Sequence, residues 1–220
     1  MTTPTWVLSP GDLDLWDECR RCFYLGAAAR FPRPAVGDRV AAIVGRRLLM
    51  GLQGARADKL AGGMPAGLVD VGRHVLRSAP LTVDVPDRTL RCVVRGEVPV
   101  VLRLEGGACG VAEVTLGALE PAAVPARARR LHAWAQAVET PETGTGQRVA
   151  ALGVLAFEPE GDGPGGFSGS WRWTPFARDD AGFFGFLAEA LSVLGAPAPP
   201  GGAPLCPWCV YRDAGRRTGL

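Results

Sequence analysis

At 220 residues, 47% of them hydrophobic, with a net charge of +2, the chain carries enough apolar side chains to bury a core unaided, which excludes disorder and small disulfide-held scaffolds. It holds no run of 18 apolar residues, and its opening, MTTPTWVLSPGDLD, lacks the basic-then-apolar order of a signal peptide, so the reading is a cytoplasmic chain without a membrane partner. In that reducing compartment its six cysteines point to metal ligation or burial rather than to disulfides.

In chain order, Ser9-Pro10-Gly11-Asp12 has the chemistry of a helix start, and a helix is expected from Pro10 into the 20s. Leu13, Trp16 and Phe23 then share a face, and Cys19 and Cys22, at i and i+3, point the same way. FPRP (31–34) breaks the chain; residues 38–52 form a second helix and AGLVDVGRHVLRS (66–78) a third. Short β-branched runs separated by Pro, Asp and Gly follow: LTVDV (81–85), LRCVV (90–94), VPVVLRL (98–104) and GVAEVTL (110–116), which together read as a sheet. Residues 125–139 return to helical spacing through Leu131, Trp134 and Val138. RVAALGVLAFE (148–158) and SWRWTPF (170–176) read as strands, 179–194 as a helix, and GAPAPPGGAP (195–204) as a linker.

After that linker comes LCPWCVYR (205–212), a second C-x-x-C formed by Cys206 and Cys209. Two such pairs make one tetrahedral thiolate site if the fold joins the chain ends, and thiolates suit zinc or an iron–sulfur cluster. The competing reading is two pairs of buried small hydrophobes, since the long gap between Cys22 and Cys206 fits no local zinc-finger spacing. Cys92 and Cys109 fall on predicted strands and read as core.

LSPGDLDLWDECRRCFYLG (8–26) resembles the opening helix of RecB-like nucleases of the PD-(D/E)XK superfamily, particularly the CRISPR-associated RecB-like exonucleases and AddB-type helicase–nuclease subunits. In those proteins a serine-capped helix ends in Cys-Pro-Arg-x-Phe-Tyr-Leu, and its cysteine joins three from the C-terminus around a four-iron, four-sulfur cluster. Cys19 to Leu25 match that motif with Arg20 in place of proline; the third C-terminal cysteine would fall near Gly215 and is absent, and Cys22 substitutes for it. The resemblance therefore implies a two-plus-two site of Cys19, Cys22, Cys206 and Cys209, holding either that cluster or zinc.

The resemblance also implies an α/β, restriction-endonuclease-like domain spanning 1–220, a central mixed sheet flanked by helices. Within it, 1–60 is an N-terminal helical part, 80–194 the nuclease-like core, 195–204 the linker and 205–220 the C-terminal cysteine segment. The family's Gly-x-x-Asp, Asp/Glu-x-Lys and Gln-x-x-x-Tyr motifs correspond to RGEVPV (95–100), AEVTLG (112–117) and RRLHAW (129–134). Glu97 takes the aspartate position and Glu113 keeps the second carboxylate. Thr115 replaces the lysine, and Arg130 and Trp134 stand for Gln and Tyr. Such carboxylates bind Mg²⁺ while the lysine helps activate the attacking water. Threonine brings no positive charge, and the chain's only lysine, Lys59, lies far before this sheet.

Charge is placed unevenly. Residues 1–59 carry +3 and residues 206–220 carry +2, leaving −3 between them. If the cysteines gather the ends, Arg20, Arg21, Arg130, Arg212, Arg216 and Arg217, with Arg127 and Arg129, form a phosphate-binding surface; the alternative is a solvated basic face. Gly161, Gly163 and Gly166 spell G-x-G-x-x-G, but Pro164 intervenes and a strand follows, so they read as a hairpin loop. His74 and His132 are read as helical residues without catalytic partners, and Trp171 and Trp173 as core packing on one side of a strand.

Three functions fit these residues. The first is a catalytically degenerate nuclease-fold protein that binds nucleic acid, DNA foremost, or a protein partner in DNA processing. The second is an active Mg²⁺-dependent exonuclease or endonuclease with an atypical site. The third is a structural subunit without nucleic-acid contact. The missing lysine argues against the second and the basic ends against the third.

Overall fold

The computed structural model describes residues 4–31, 39–72, 74–163 and 166–218. Their architecture is a mixed α/β fold of two mixed sheets and seven α-helices among the described residues. Among the described residues no helix is long and apolar enough to cross a membrane.

After a short strand β1 (Thr5–Leu8), Ser9 opens α1 (Pro10–Glu18). Its hydroxyl accepts from the Asp12 N–H at 3.1 Å while the Asp12 carboxylate accepts from the Ser9 N–H at 2.7 Å, a reciprocal cap with proline at the first helical position. The single helix expected to continue into the 20s is broken. Cys19 is extended (φ −167°, ψ 107°) and acts as N-cap of a second helix, α2 (Arg20–Ala27). No proline or glycine marks that break; residue 19 leaves the helical path where its thiol meets a distant part of the chain. Leu13, Trp16 and Phe23 nonetheless share one buried cluster, the two rings edge-to-face at 5.5 Å.

Helix α3 (Arg39–Gly51) lies where the sequence places it, Asp38 being outside the described residues, and a short α4 (Ala57–Leu60) follows. The third predicted helix is a correction: residues 66–78 form β2 (Gly67–Asp70) and β3 (His74–Arg77), so His74 lies on a strand. Leu68 and Val69 alternate outward and inward, and both strands find antiparallel partners. Sheet pairing outweighs a helical spacing that the same apolar residues also satisfy.

Strands β4 (Leu81–Val85), β5 (Arg88–Val98), β6 (Val100–Leu104) and β7 (Cys109–Leu116) overlap the four expected runs, β5 being longer than LRCVV and taking Val98 from the run that follows. In the first sheet β5 is central: Arg91 and Cys92 pair with parallel β1 and with antiparallel β4, while Arg95–Val98 pair with β3. Pro99 alone separates β5 from β6, so one length of chain passes directly into the second sheet, ordered β2-β6-β7-β8-β9. There β8 (Val149–Gly163) runs parallel to β7 and antiparallel to β9 (Gly166–Phe176). Gly163 pairs with Gly166, so the glycine triplet belongs to a hairpin, and Trp173 is buried with Trp171 packed against the same cluster.

The parallel pair β7–β8 requires a crossover, and α5 (Val124–Glu139) supplies it. Its face carrying Leu131, Trp134 and Ala135 packs on Val111, Leu152 and Val154, while Leu52, Ala57, Ala61 and Met64 pack with Ala112, Leu155 and Trp173. Neighbouring residues of β7 and β8 thus join different core clusters, as a sheet buried on both faces requires. Helix α6 (Asp180–Leu194) adds Phe183, Leu187 and Leu191 to the cluster containing α1 and α2. The final helix, α7 (Pro207–Thr218), was read from sequence only as a cysteine segment.

Candidate metal centre and carboxylate cleft

The chain ends meet. Cys19 and Cys209 sulfurs lie 3.6 Å apart, Cys22 and Cys206 3.6 Å, and Cys22 and Cys209 3.8 Å. All four sulfurs fall within 4.8 Å of one another and all four residues are buried. Of the two open readings, the shared site is the one the fold assembles, and the four cysteines can hold a metal ion such as zinc or an iron–sulfur centre.

Local structure explains the convergence. Cys19 caps α2 and Cys22 sits in its first turn; Cys206 directly precedes Pro207 at the start of α7, and Cys209 sits in that helix's first turn. Each C-x-x-C thus opens a helix, where unsatisfied N–H groups and the positive end of the dipole favour thiolates. The Pro/Gly linker is part of the site: the Ala203 N–H donates to Cys19 Sγ at 3.5 Å. Gly202 passes so close that a Cβ there would come within 2.9 Å of Cys209 Sγ. Burial pushes on the Cys19 thiol upward, but the Ala203 and Cys22 N–H groups and the Cys209 thiol outweigh it and bring Cys19 down to about 6. Burial, and then the neighbouring thiols, drive Cys22 upward and Cys209 to about 11.

Arg21 closes this site instead of facing solvent. Its guanidinium makes two bonds to the Asp213 carboxylate, at 3.0 and 3.1 Å, tying α2 to α7 beside the thiolates. Arg20 is exposed and stacks 4.5 Å from the Trp16 ring centre; Arg212 stacks 4.9 Å from that of Phe31. The side chains of Arg216 and Arg217 lie outside the described residues.

The second assembly is a cleft of about 370 Å³ where β5 bends into β6, lined by Glu97, Glu113, Arg130, Trp134 and the start of α1. The residues aligned with the nuclease motifs do come together. Gly96 is required there, since a Cβ would stand 2.7 Å from the Trp134 ring. Glu97 is exposed at the rim. Glu113 is buried, and Arg127 and Arg130, one turn apart on α5, hold its two oxygens at 2.8 and 2.6 Å. Arg130 also donates to Asp14 of α1 at 2.8 Å, and Arg129 bonds Asp17. Burial raises the Asp14 carboxyl, with Arg130 opposing it, and its other oxygen has no hydrogen-bond partner.

Chemically, this cleft holds a carboxylate already neutralised by two guanidiniums. Among the described residues the four cysteines are the group of three or more metal-ligating side chains close enough to share an ion; Glu97, Glu113 and Asp14 form no such set. Thr115 stands two residues beyond Glu113 on β7, half-buried. Lys59 is 81% exposed on α4, beside Asp58, and does not line the cleft.

The remaining candidates are structural. Both His132 ring nitrogens are engaged by backbone, Nδ1 with the Ala128 carbonyl at 2.7 Å and Nε2 with the Asp179 N–H at 2.8 Å, and the ring stacks on Phe183. Cys92 and Cys109 are core residues, burial taking Cys92 up to about 12. Sequence reasoning missed Asp14, Asp213 and Gly202; only the Cys-x-x-x-Asp spacing after Cys209 hinted at any of them, placing Asp213 one helical turn beyond a ligand.

No family model matches this chain, and no curated protein matches it. A solved structure titled "Crystal structure of SSO0001" is similar over 90% of this chain and 81% of that one, at 11% identity and a TM-score of 0.41.

Proposed function

We propose that this chain is a RecB-like, PD-(D/E)XK-type domain that has lost hydrolysis and binds nucleic acid, its two ends clasped by a four-cysteine metal centre. The observation that carries this reading is the Glu113 carboxylate held by both Arg127 and Arg130. A Mg²⁺ ion needs carboxylate oxygens in its own shell, and two guanidiniums at hydrogen-bond distance both occupy those oxygens and repel a second cation. Thr115 at the lysine position supports the same conclusion, because no side chain there adds charge to the transition state. The metal, when bound at the cysteines, supplies a crosslink between chain ends and no chemistry in the cleft.

Nucleic acid is favoured over a purely structural role by what surrounds the clasp. Tyr211 is 77% exposed and Phe31 61% exposed. With Arg20 and Arg212 they combine flat stacking surfaces and phosphate-seeking charge, the pairing that single-strand binders use. The test is a fluorescence-anisotropy titration with a labelled single-stranded DNA at low salt, followed by electrophoresis of the same samples with Mg²⁺ or Mn²⁺. Binding without cleavage is expected, weakened by Tyr211→Ala and by Arg20→Glu with Arg212→Glu, and unaffected by Arg172→Glu on β9. Each lost phosphate contact should flatten the log–log salt slope by about 0.7. Metal-dependent cleavage abolished by Glu113→Gln overturns the loss of hydrolysis, and absence of binding at low salt leaves the structural-subunit reading.

A further inference from the structure

The cysteine site has a size as well as a composition, and its size discriminates between the two centres that cysteines alone leave open. A single tetrahedral ion with metal–sulfur bonds of ~2.3 Å sets its sulfurs about 3.8 Å apart. The Cys19–Cys209, Cys22–Cys206 and Cys22–Cys209 separations are 3.6, 3.6 and 3.8 Å, and no pair exceeds 4.8 Å. A cuboidal four-iron cluster cannot fit inside that tetrahedron. Each of its thiolates stands outside its own iron, so the sulfurs are farther apart by the extent of the iron core itself.

We infer that Cys19, Cys22, Cys206 and Cys209 bind one zinc ion, a structural tetrathiolate site in place of the cluster that the RecB-like resemblance implies. The inference rests on the four-cysteine clasp and not on the nucleic-acid reading. Three features support it beyond distance. The ligands are arranged two plus two, each pair spanning the first turn of a helix, and the third C-terminal cysteine of the cluster pattern is replaced by Gly215. All four ligands are accounted for by protein sulfur, which leaves no open position and matches structural rather than catalytic zinc. Four thiolates on a divalent ion leave two negative charges, and the site meets them with two helix N-termini and the Ala203 N–H. Widening the site for a cluster would push Cys209 against Gly202, where there is no room even for a methyl group.

Elemental analysis of protein expressed with both zinc and iron and purified without oxygen decides the matter. One zinc per chain with no acid-labile sulfide is expected, and cobalt added to the metal-free protein should give the visible bands of a tetrahedral tetrathiolate at one equivalent, displaced by zinc. Cys206→Ser should change that spectrum, and Cys92→Ser should leave it unchanged. Four irons with labile sulfide, or one iron taken in preference to zinc, overturns the zinc assignment while keeping the clasp. A wild-type chain that takes up no zinc, iron or cobalt overturns the clasp as well.

Discussion

Replacing Glu113 by Gln separates a structural carboxylate from a catalytic one, because the two roles predict opposite signs. Glutamine is nearly isosteric, so cavity formation contributes little and the change measures charge. The Glu113 side chain is 3% exposed, whereas those of Arg127 and Arg130 are 25% and 26% exposed. Removing one partner of a buried pair costs about 3–5 kcal/mol, and the partial hydration still open to both guanidiniums moves the expectation to the lower end, ~3 kcal/mol. At the roughly 2–4 °C per kcal/mol of a domain this size, Tm should fall by about 6–12 °C. Thermal unfolding followed by circular dichroism measures it. A double-mutant cycle with Arg130→Gln should return a coupling of about 1–3 kcal/mol, since the two side chains touch. A carboxylate kept for metal would behave otherwise: it gains nothing from its neighbours until Mg²⁺ arrives, and its removal relieves repulsion. A Glu113→Gln variant that melts at or above the wild-type temperature, together with a wild type stabilised by Mg²⁺, would refute the reasoning.

Two further predictions follow from contacts at the clasp and the cleft. Gly202→Ala places a methyl group 2.9 Å from Cys209 Sγ and should weaken metal retention by about 1–3 kcal/mol, read by competition against a chromophoric chelator; unchanged retention would mean that the linker does not press on the site. Asp14 has a folded pKa raised above 3.8, chiefly by burial. The folded state therefore holds this proton more tightly than the unfolded state, and ionisation costs stability as pH rises through the folded value. The Tm of wild type relative to Asp14→Asn should accordingly decline as pH rises above the ordinary aspartate value of about 3.9; a relative Tm that climbs with pH there would show that Arg130 dominates instead.

What could be read from the sequence followed from local chemistry. LTVDV and GVAEVTL are bounded by turn residues and rich in β-branched side chains, and the strands lie there. Helix α5 declares itself through Leu131, Trp134 and Val138. The break at Cys19 was hidden because ECRRC contains nothing that disfavours a helix; a thiol drawn toward Cys209, 190 residues away, sets the backbone there. Residues 66–78 were misread because Leu68, Val71 and Val75 suit a helical face as well as a strand, and only β5 and β6 decide between them. Helix α7 has one legible start signal, Pro207 at its first position, as Pro10 is in α1, but no capping side chain like Ser9 precedes it in the sequence. The ion-pair lock was half visible, in Arg130 at the family's Gln position, while Asp14 reaches it only through the fold.

The two assemblies are mechanically connected by one short stretch of chain. Asp14 and Asp17 of α1 bond Arg130 and Arg129 of α5, and Cys19, two residues beyond Asp17, joins the metal-site cysteines of α7. Arg21 continues the series to Asp213. From residue 14 to residue 22, therefore, acid, thiol and guanidinium in turn fasten this helix pair first to the central crossover helix and then to the C-terminus. Arginines on α5 whose charge would otherwise meet a phosphate are spent on internal carboxylates, which leaves, of the described arginines assigned to that surface, exposed Arg20 and half-buried Arg212, each stacked on an aromatic ring. A surface built that way gains more from stacking than from charge, so its affinity should depend on salt less steeply than the eight arginines assigned to it from the sequence suggest.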